Sequence, residues 1–189
     1  MKVVLASGSI FRAKLLELAG FDYEVRVPNV DETLLTGKRL PPAEFARSVA
    51  AQKAISVWDR TDGQIMLGAE TIVVVDDDIL GYPKDKEDAR RMLRLLSGSH
   101  HEVYTGVHIC SDYIELSFSD RTIVDMYELT DQEIDNYLRY NEYQNRPGAY
   151  DISRHGSLLV ERINGDYNNI IGRPVGLLIH QLRACGFRV

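Results

Sequence analysis

The sequence predicts an α/β fold in which helices flank a mixed β-sheet. β-prone runs alternate along the chain with segments of helical periodicity, which is typical of α/β proteins. The central β-prone runs follow one another without an intervening helix, so we do not expect a purely parallel sheet. No repeat, low-complexity tract or Pro/Ser-rich linker divides the chain. We therefore expect a single domain over residues 1–189, although two tightly joined lobes also fit this length.

The strands are indicated by runs of β-branched and aromatic residues. In chain order they are predicted at residues 2–6, 21–27, 65–75, 102–110, 113–129 and 157–163. A hairpin or tight return is expected where Asp76-Asp77-Asp78 precedes Ile79-Leu80-Gly81.

The helices are indicated by their capping residues and by the spacing of their apolar positions. Gly20 ends the first helix, Pro41-Pro42 opens the second, and Asp85 caps the third. Thr130 and Glu133 match a capping box at the start of the fourth. With their capping residues, the predicted helices cover residues 10–19, 41–58, 85–98, 130–140 and 174–184.

Bulk properties exclude several classes of protein. A net charge of -6 argues against a protein that coats a nucleic-acid polymer, which would show a basic stripe. No run approaches the roughly 20 apolar residues that span a bilayer, so we expect no membrane association. The first apolar run is too short for a signal peptide, and we expect a cytoplasmic protein. Cys110 and Cys185 lack metal-ligand spacing and are expected to be buried or half-buried thiols.

The first candidate functional segment is Ser7-Gly8-Ser9 with Arg12, between the first strand and the first helix. A strand-to-helix turn presents backbone N–H groups and the positive end of the helix dipole, which together bind anions. Arg12 in the first turn of a helix opposes that dipole, which suits an anion bound between them. The simpler interpretation is a serine N-cap followed by a solvated arginine.

Three acidic or basic residues form further candidates. Glu70 interrupts an apolar strand, where an unpaired carboxylate is costly, so it should have a metal, a lysine or a water network as its partner. Lys53 lies on the apolar side of its helix and either extends its ammonium to water or points it at phosphate oxygens. Glu32 follows Asp31 in a loop, where a solvated acidic turn is the simpler interpretation. The polar loop 164–174 reads as an Asx turn when taken alone.

Taken together and in this order, these segments resemble the Maf family of nucleoside-triphosphate pyrophosphatases. The resemblance covers nearly the whole chain, and the ordered set is specific although each piece is weak. The matching motifs are Leu5-Ala6-Ser7-Gly8-Ser9 with Arg12, Val30-Asp31-Glu32, Lys53-Ala54, Glu70-Thr71-Ile72-Val73, Leu80-Gly81 with Pro83, Leu96-Ser97-Gly98, His101-x-Val103-x-Thr105-Gly106-Val107, Gly148-Ala149-Tyr150-x-Ile152 and Glu161-Arg162-Ile163-x-Gly165-Asp166-Tyr167-x-Asn169-x-x-Gly172-x-Pro174.

The resemblance implies an elongated α/β fold related to that of inosine triphosphatases, with a cleft between two lobes and commonly a homodimer. It implies hydrolysis of a nucleoside triphosphate to its monophosphate and pyrophosphate, with a divalent cation, Mg²⁺ or Mn²⁺. Glu70 would accept a proton from the attacking water, and Glu32 together with Glu70 would hold the metal. The residues expected to hold the triphosphate are Ser7, Ser9, Arg12 and Lys53.

The sequence departs from the family pattern at several of these motifs. The usual Ser-Pro-Arg-Arg is here Ser9-Ile10-Phe11-Arg12, and the usual aspartate is Glu70, whose carboxylate is one methylene further out. The usual lysine of Leu-Gly-Lys-Pro is Tyr82, for which Lys84 is the nearest substitute. The usual glutamine after Tyr150-x-Ile152 is Ser153.

Three substrate-binding positions match the places where the family sets its preference for a base: Phe11, Thr71 and Ser153. Phe11 is able to stack on a base. We therefore expect a pyrimidine or modified nucleotide as substrate, cleared from the nucleotide pool. Two alternatives remain open, a nucleotide-binding regulator with impaired catalysis and a purine-directed inosine or xanthosine triphosphatase.

Overall fold

The structure is a computed structural model that describes residues 2–18, 20–30, 40–60, 63–172 and 174–186. These residues form one seven-stranded sheet and six α-helices. The strands are β1 (Lys2–Ala6), β2 (Tyr23–Arg26), β3 (Gln64–Val75), β4 (Asp78–Leu80), β5 (His100–Cys110), β6 (Glu115–Met126) and β7 (Val160–Asn164). The helices are α1 (Ile10–Leu18), α2 (Pro42–Ser56), α3 (Lys86–Leu96), α4 (Asp131–Leu138), α5 (Tyr167–Ile170) and α6 (Val175–Ala184).

The sheet is mixed, as the sequence predicts. Its strand order is β2-β1-β3-β5-β6-β7, with β4 paired to β3. β1 runs parallel to both β2 and β3, whereas β4 is antiparallel to β3 and β7 is antiparallel to β6. The predicted return after β3 is a two-residue hairpin in which Asp76 and Asp77 both have positive φ, at 48° and 67°. Two successive positive φ angles match the right-handed twist of the flanking strands.

Most element ends lie close to their predicted positions, and the caps predicted for the third and fourth helices are present. The Asp85 carboxylate accepts a hydrogen bond from Asp88 N at the start of α3. Thr130 and Glu133 form the complete capping box of α4. Two predictions were wrong: residues 155–159 form a 3₁₀ helix rather than the start of a strand, and the loop predicted at 164–174 contains α5.

The chain forms two compact units. The first unit comprises the residues up to Glu70, Thr105–Asp120 and those from Gly172 onward, and the second comprises Thr71–Tyr104 and Arg121–Ile171. In the first unit, alternate residues of β1 and β3 enter different cores because strand side chains alternate between faces. One face packs against α1 and α6 through Val3, Leu5, Leu16, Ile65, Leu67, Ala69, Leu178 and Leu182. The other face packs against α2 through Val4, Ala54 and Met66.

Helix α2 lies directly on the backbone of the sheet at two glycines. A Cβ atom on Gly68 would stand 2.0 Å from the carbonyl oxygen of Ala50, and one on Gly106 would stand 2.3 Å from the carbonyl carbon of Ala46. No side chain fits at either contact. Glycine therefore sets the distance between α2 and the sheet, and with it the reach of the side chains that α2 carries.

The second unit has one apolar core, in which α3 and α4 cover the sheet. The core contains Val73, Leu80, Met92, Leu93, Leu96, Val103, Val124, Ile134, Leu138 and Tyr150. Within it, one ring nitrogen of His101, Nε2, lies 2.8 Å from the Tyr150 hydroxyl. Burial lowers the pKa of His101 to about 4, so the ring is neutral near pH 7.

The two cysteines are free thiols. Cys110 is buried, and burial raises the pKa of its thiol to about 11. Cys185 is exposed, so the prediction that it is at least half-buried was wrong, because it caps the end of α6 rather than facing the sheet. Among the helices that the structure describes, none is long and apolar enough to cross a membrane.

His101 is expected to make the stability of the protein depend on pH. The ring titrates at about 6.5 when exposed but at about 4 in the folded protein, so the unfolded chain binds the extra proton between these values. The free energy of unfolding should thus fall as the pH drops from 6.5 to 4, by about 3 kcal/mol from this residue.

Urea unfolding of the wild type and of His101→Gln over this pH range measures that contribution. Burial also lowers the pKa of His108, which adds to the wild-type slope with the same sign. In His101→Gln, the pH dependence of the free energy of unfolding should keep the contribution of His108 and lose that of His101. An unchanged slope in His101→Gln would contradict the assignment.

Candidate active site

The candidate site lies where β1 ends beside a longer strand. Ala6, the last residue of β1, pairs with Gly68 of β3, and β3 continues past Glu70 to Val75. The two strands are parallel, and the space outside the carboxyl ends of parallel strands is the usual place for a ligand in α/β sheets. The turn from Ser7 to Ser9 therefore leaves the sheet next to the segment of β3 that carries Glu70.

The turn from Ser7 to Ser9 is organised by its own hydroxyl groups. Ser7 is buried, and its Oγ accepts hydrogen bonds from Ser9 N and from Arg12 Nη1, both at 3.2 Å. Ser9 Oγ accepts from Arg12 N at 3.4 Å, which is the geometry of a helix N-cap. The predicted serine cap is therefore present, and the two hydroxyls and the helix N-terminus meet at one corner, as an anion site requires.

Arg12 is half-buried and bonded, so the interpretation of a solvated arginine was wrong. Its Nε donates to the carbonyl oxygen of Gly172 at 3.4 Å, in addition to the bond from Nη1 to Ser7. Its side chain borders an apolar recess of about 30 Å³, lined also by Leu5, Leu16, Leu67, Ala69, Pro174 and Leu178. The aliphatic stem thus packs against carbon while the guanidinium reaches the corner of the turn.

Lys53 and Glu70 form a buried ion pair, in which the lysine Nζ bonds to the glutamate Oε2. The lysine and glutamate side chains are only 9% and 4% exposed. The expectation that Glu70 needs a partner is confirmed, and that partner is a lysine. The expectation that Lys53 extends to water was wrong, because α2 lies so close to Gly68 that its lysine faces the strand instead.

This arrangement places two cations, two hydroxyls and one carboxylate in the first unit, around the end of β1. Arg12 and Ala69 border the same recess on the face of the sheet that α1 and α6 cover, whereas Glu70, the next residue along β3, faces α2 and its lysine. Charged groups in a largely buried setting act on a bound anion more strongly than they would in water. The corner from Ser7 to Arg12 therefore offers hydrogen-bond donors and one positive charge to an anion, although the whole protein carries a net charge of -6.

Three predicted substrate-binding residues belong to the second unit. Thr71 is buried in β3 directly after Glu70. Lys84 is exposed before α3, and its backbone N–H donates to the Asp88 carboxylate at 3.1 Å. Ser153 is exposed, and its Oγ donates to Asp151 Oδ1 at 2.6 Å.

Asp151 and Arg146 were not singled out in the sequence, although they hold Ser153 in place. The Asp151 carboxylate is 5% exposed and forms an ion pair with Arg146 at 2.8 Å. The signal available in the sequence was the short spacing between the acid and the serine, which favours a side-chain-to-backbone turn. Ser153 N indeed donates to the same carboxylate at 3.0 Å.

Two further site predictions are not tested by the structure. Phe11 lies in α1, but the position of its side chain is not described. Glu32 falls outside the described residues. Their proposed contacts to the base and to a metal stay predictions.

The loop 164–174 contains the Asx turn that the sequence predicts and a buried anchor that it does not. Asp166 Oδ1 accepts from Asn168 N at 2.8 Å. Asn169 is fully buried, and its Nδ2 donates to the carbonyl oxygen of Val103 at 2.9 Å and to Thr122 Oγ1 at 3.1 Å. The Gly172 carbonyl was also missed, because a backbone acceptor leaves no trace in a sequence.

Fold and site together define an α/β protein with a hydrogen-bonded corner of two serines and an arginine at the carboxyl end of a parallel strand. The Maf-like protein family model matches residues 2–185, and the chain belongs to this family. It is 43% identical over 182 residues to a dTTP/UTP pyrophosphatase of Bacillus cereus (strain G9842), covering 96% of this chain and 94% of that one. The dTTP/UTP pyrophosphatase of Bacillus cytotoxicus is 44% identical over the same shares of the two chains.

The fold resembles a solved structure of much lower identity. The Ham1 protein of Staphylococcus aureus superposes with a TM-score of 0.53 at 14% identity, covering 97% of this chain and 99% of that one. At this identity the likeness concerns the fold alone. The prediction of a mixed α/β fold is thereby confirmed, and the Ham1 protein shares that fold.

Removal of Lys53 is expected to destabilise the protein strongly. Lys53→Met leaves the Glu70 carboxylate buried without its counter-ion, which should lower the free energy of unfolding by about 3–5 kcal/mol. The double variant Lys53→Met/Glu70→Met removes both charges and should recover much of that loss. Urea unfolding at pH 7 measures all three proteins.

Arg94→Met is the matched control, because Arg94 pairs with Asp131 at 2.8 Å while both side chains are largely exposed. Arg94→Met should lower the free energy of unfolding by about 1 kcal/mol or less. If Lys53→Met lowered the free energy of unfolding no more than this control, Lys53 and Glu70 would not form a buried pair in which each charge needs the other.

Proposed function

We propose that the protein is a nucleoside triphosphate pyrophosphatase that hydrolyses a pyrimidine or modified nucleotide to its monophosphate and pyrophosphate, and so clears it from the nucleotide pool. Membership of the Maf-like family and the high similarity to proteins named dTTP/UTP pyrophosphatase support this proposal. The observation that carries it is local. The Ser7–Arg12 corner follows the end of β1, and the buried Lys53–Glu70 pair lies just past Gly68, the β3 residue that pairs with Ala6. We propose that one phosphate chain reaches from the corner to the pair around this strand end.

The corner binds the phosphate chain of the substrate. Backbone N–H groups at the start of α1 and the hydroxyls of Ser7 and Ser9 donate to phosphate oxygens. Arg12 adds a planar guanidinium, which matches phosphate geometry. Lys53 adds an ammonium from the α2 side of the sheet. These cations also stabilise the negative charge that develops on the departing pyrophosphate.

Glu70 is the proton acceptor. A water oxygen attacks the α-phosphorus, the bond from this phosphorus to the bridging oxygen of the β-phosphate breaks, and pyrophosphate leaves. The proton lost by the water moves to the Glu70 carboxylate. The Lys53 ammonium compensates the buried negative charge of that carboxylate before the reaction and holds it in position.

A divalent cation, Mg²⁺ or Mn²⁺, is part of the proposal. Among the described residues, no cluster of three or more His, Cys, Asp or Glu side chains offers a complete metal site. Mg²⁺ is usually held by one or two carboxylates together with substrate phosphates, so Glu70 and Glu32 are proposed as its protein ligands. When bound, the ion lowers the pKa of water and neutralises charge on the phosphates.

Selection of the base is proposed for Phe11, Thr71 and Ser153, and Lys84 is proposed as a further substrate-binding residue. The Ser153 hydroxyl directs its proton to Asp151, so the role proposed for its oxygen toward a base is that of a hydrogen-bond acceptor. The same proposal includes a homodimer in the cytoplasm that binds neither nucleic-acid polymers nor membranes. These points rest on the family resemblance and on the acidic net charge.

Pyrophosphate release from a panel of triphosphates tests the proposal. The panel contains dTTP, UTP, inosine triphosphate, xanthosine triphosphate and methylated guanine nucleotides, each with Mg²⁺ or Mn²⁺. We expect the fastest release from a pyrimidine or methylated nucleotide. Fastest release from inosine triphosphate would support a purine-directed enzyme instead. Binding without release would support a regulator, and neither binding nor release by folded protein would refute the assignment.

Glu70→Gln should lower kcat by about 100-fold or more, because a general base contributes about 10²–10⁴-fold. Affinity for a non-hydrolysable triphosphate, measured without a divalent cation, should change little, since the amide keeps the size of the side chain. Arg12→Ala should instead raise KM. Glu115→Gln, at an exposed position of β6, is the matched control. A Glu70→Gln rate within a few-fold of wild type would mean that another group takes the proton.

A further inference from the structure

Arg12 is oriented by two acceptors that belong to different segments of the first unit. Nη1 donates to Ser7 Oγ at 3.2 Å, five residues before Arg12, and Nε donates to the Gly172 carbonyl oxygen at 3.4 Å, 160 residues later in the chain. A guanidinium is planar, so bonds from two of its nitrogens define the orientation of the whole group. Rotation of the guanidinium would break at least one of these two bonds.

The Gly172 carbonyl is itself held in place. Gly172 is buried and has a φ of 74°, in the left-handed region that glycine occupies without strain. Pro174 and Leu178 follow it and line the same apolar recess as the Arg12 side chain. The stem of Arg12 and the start of α6 therefore pack together, and the carbonyl between them has a fixed direction.

We propose that Gly172 is a positioning residue, whose backbone carbonyl holds the Arg12 guanidinium in the orientation that binds phosphate. Its effect on catalysis rests on the function proposed above, but its effect on Arg12 does not. A preoriented guanidinium binds without first losing rotational freedom, so the benefit appears as a lower KM. A lysine at position 12 would lack the fork that the two acceptors hold.

The competing interpretation is that Gly172 only allows the chain to turn into α6. Under that interpretation, Gly172→Ala raises KM by the same factor whether or not Arg12 is present. Under the positioning role, Gly172→Ala raises KM because it displaces Arg12, so the effect disappears once Arg12 is removed. A double-mutant cycle distinguishes the two.

The cycle compares wild type, Gly172→Ala, Arg12→Ala and the double variant, with the best triphosphate of the panel. We expect Gly172→Ala to raise KM about tenfold with a smaller change in kcat, because a displaced binding group costs up to about 100-fold. In the Arg12→Ala background the same substitution should change KM less than twofold. Equal fold-changes in both backgrounds would overturn the positioning role.

Gly63→Ala is the matched control for backbone strain. Gly63 has a φ of 76°, close to that of Gly172, and a Cβ atom there would meet nothing within 4 Å. The control therefore carries a similar left-handed strain away from Arg12. Its KM should equal that of wild type. A control that raises KM as much as Gly172→Ala would show that strain alone explains the effect.

A second measurement needs no turnover, and its decisive observation is made on the wild-type protein. In ¹H–¹⁵N spectra of the full-length wild-type protein, the Arg12 Nε–H signal, assigned as the one missing from Arg12→Lys, should exchange slowly with water. In Gly172→Ala it should exchange faster, and in Gly63→Ala it should not. Rapid exchange in wild type would overturn the proposal by itself. If wild type released no pyrophosphate but kept a protected Nε–H, the proposed function would fail while the contact to Gly172 would stand.

Discussion

The contact between α2 and the backbone of β3 at Gly68 is the constraint on which the candidate site depends. Because no Cβ separates the helix from the strand, the Lys53 side chain contacts Glu70 on the sheet instead of reaching solvent. The apolar surroundings then make each charge necessary to the other. A helix held further away by an alanine would leave room for water, and the two charges would be hydrated separately.

Features fixed by a few neighbouring residues were predictable from the sequence. The capping residues Asp85 and Thr130, the serine turn before α1 and the hairpin after β3 all depend on local hydrogen bonds or on local φ preferences. The need of Glu70 for a partner was predictable for the same kind of reason, since a carboxylate within an apolar run is costly wherever the strand lies.

Features fixed by distant contacts were not predictable in this way. The short helix α5 was read as loop, because its anchor, Asn169, bonds to Val103 and Thr122, which are far away in the sequence. The burial of Lys53 depends on a glycine in another element, and its own helix offers only an ambiguous apolar stripe. Nor does any side chain mark Gly172 as an acceptor for Arg12. The family resemblance indicated that these segments are functionally important, but it did not indicate which contacts their residues make.

The packing at Gly68 also limits how this site is able to diverge over generations. Replacement of the lysine alone leaves a buried carboxylate without its counter-ion, and replacement of the glutamate alone leaves a buried ammonium without its counter-ion. Replacement of the glycine by a larger residue pushes the helix that carries the lysine away from the strand. Single replacements at any of the three positions therefore lower stability, whereas joint replacement of the two charges avoids that cost but removes the proposed proton acceptor. In descendants of this chain, Lys53, Gly68 and Glu70 should be inherited or lost as a set.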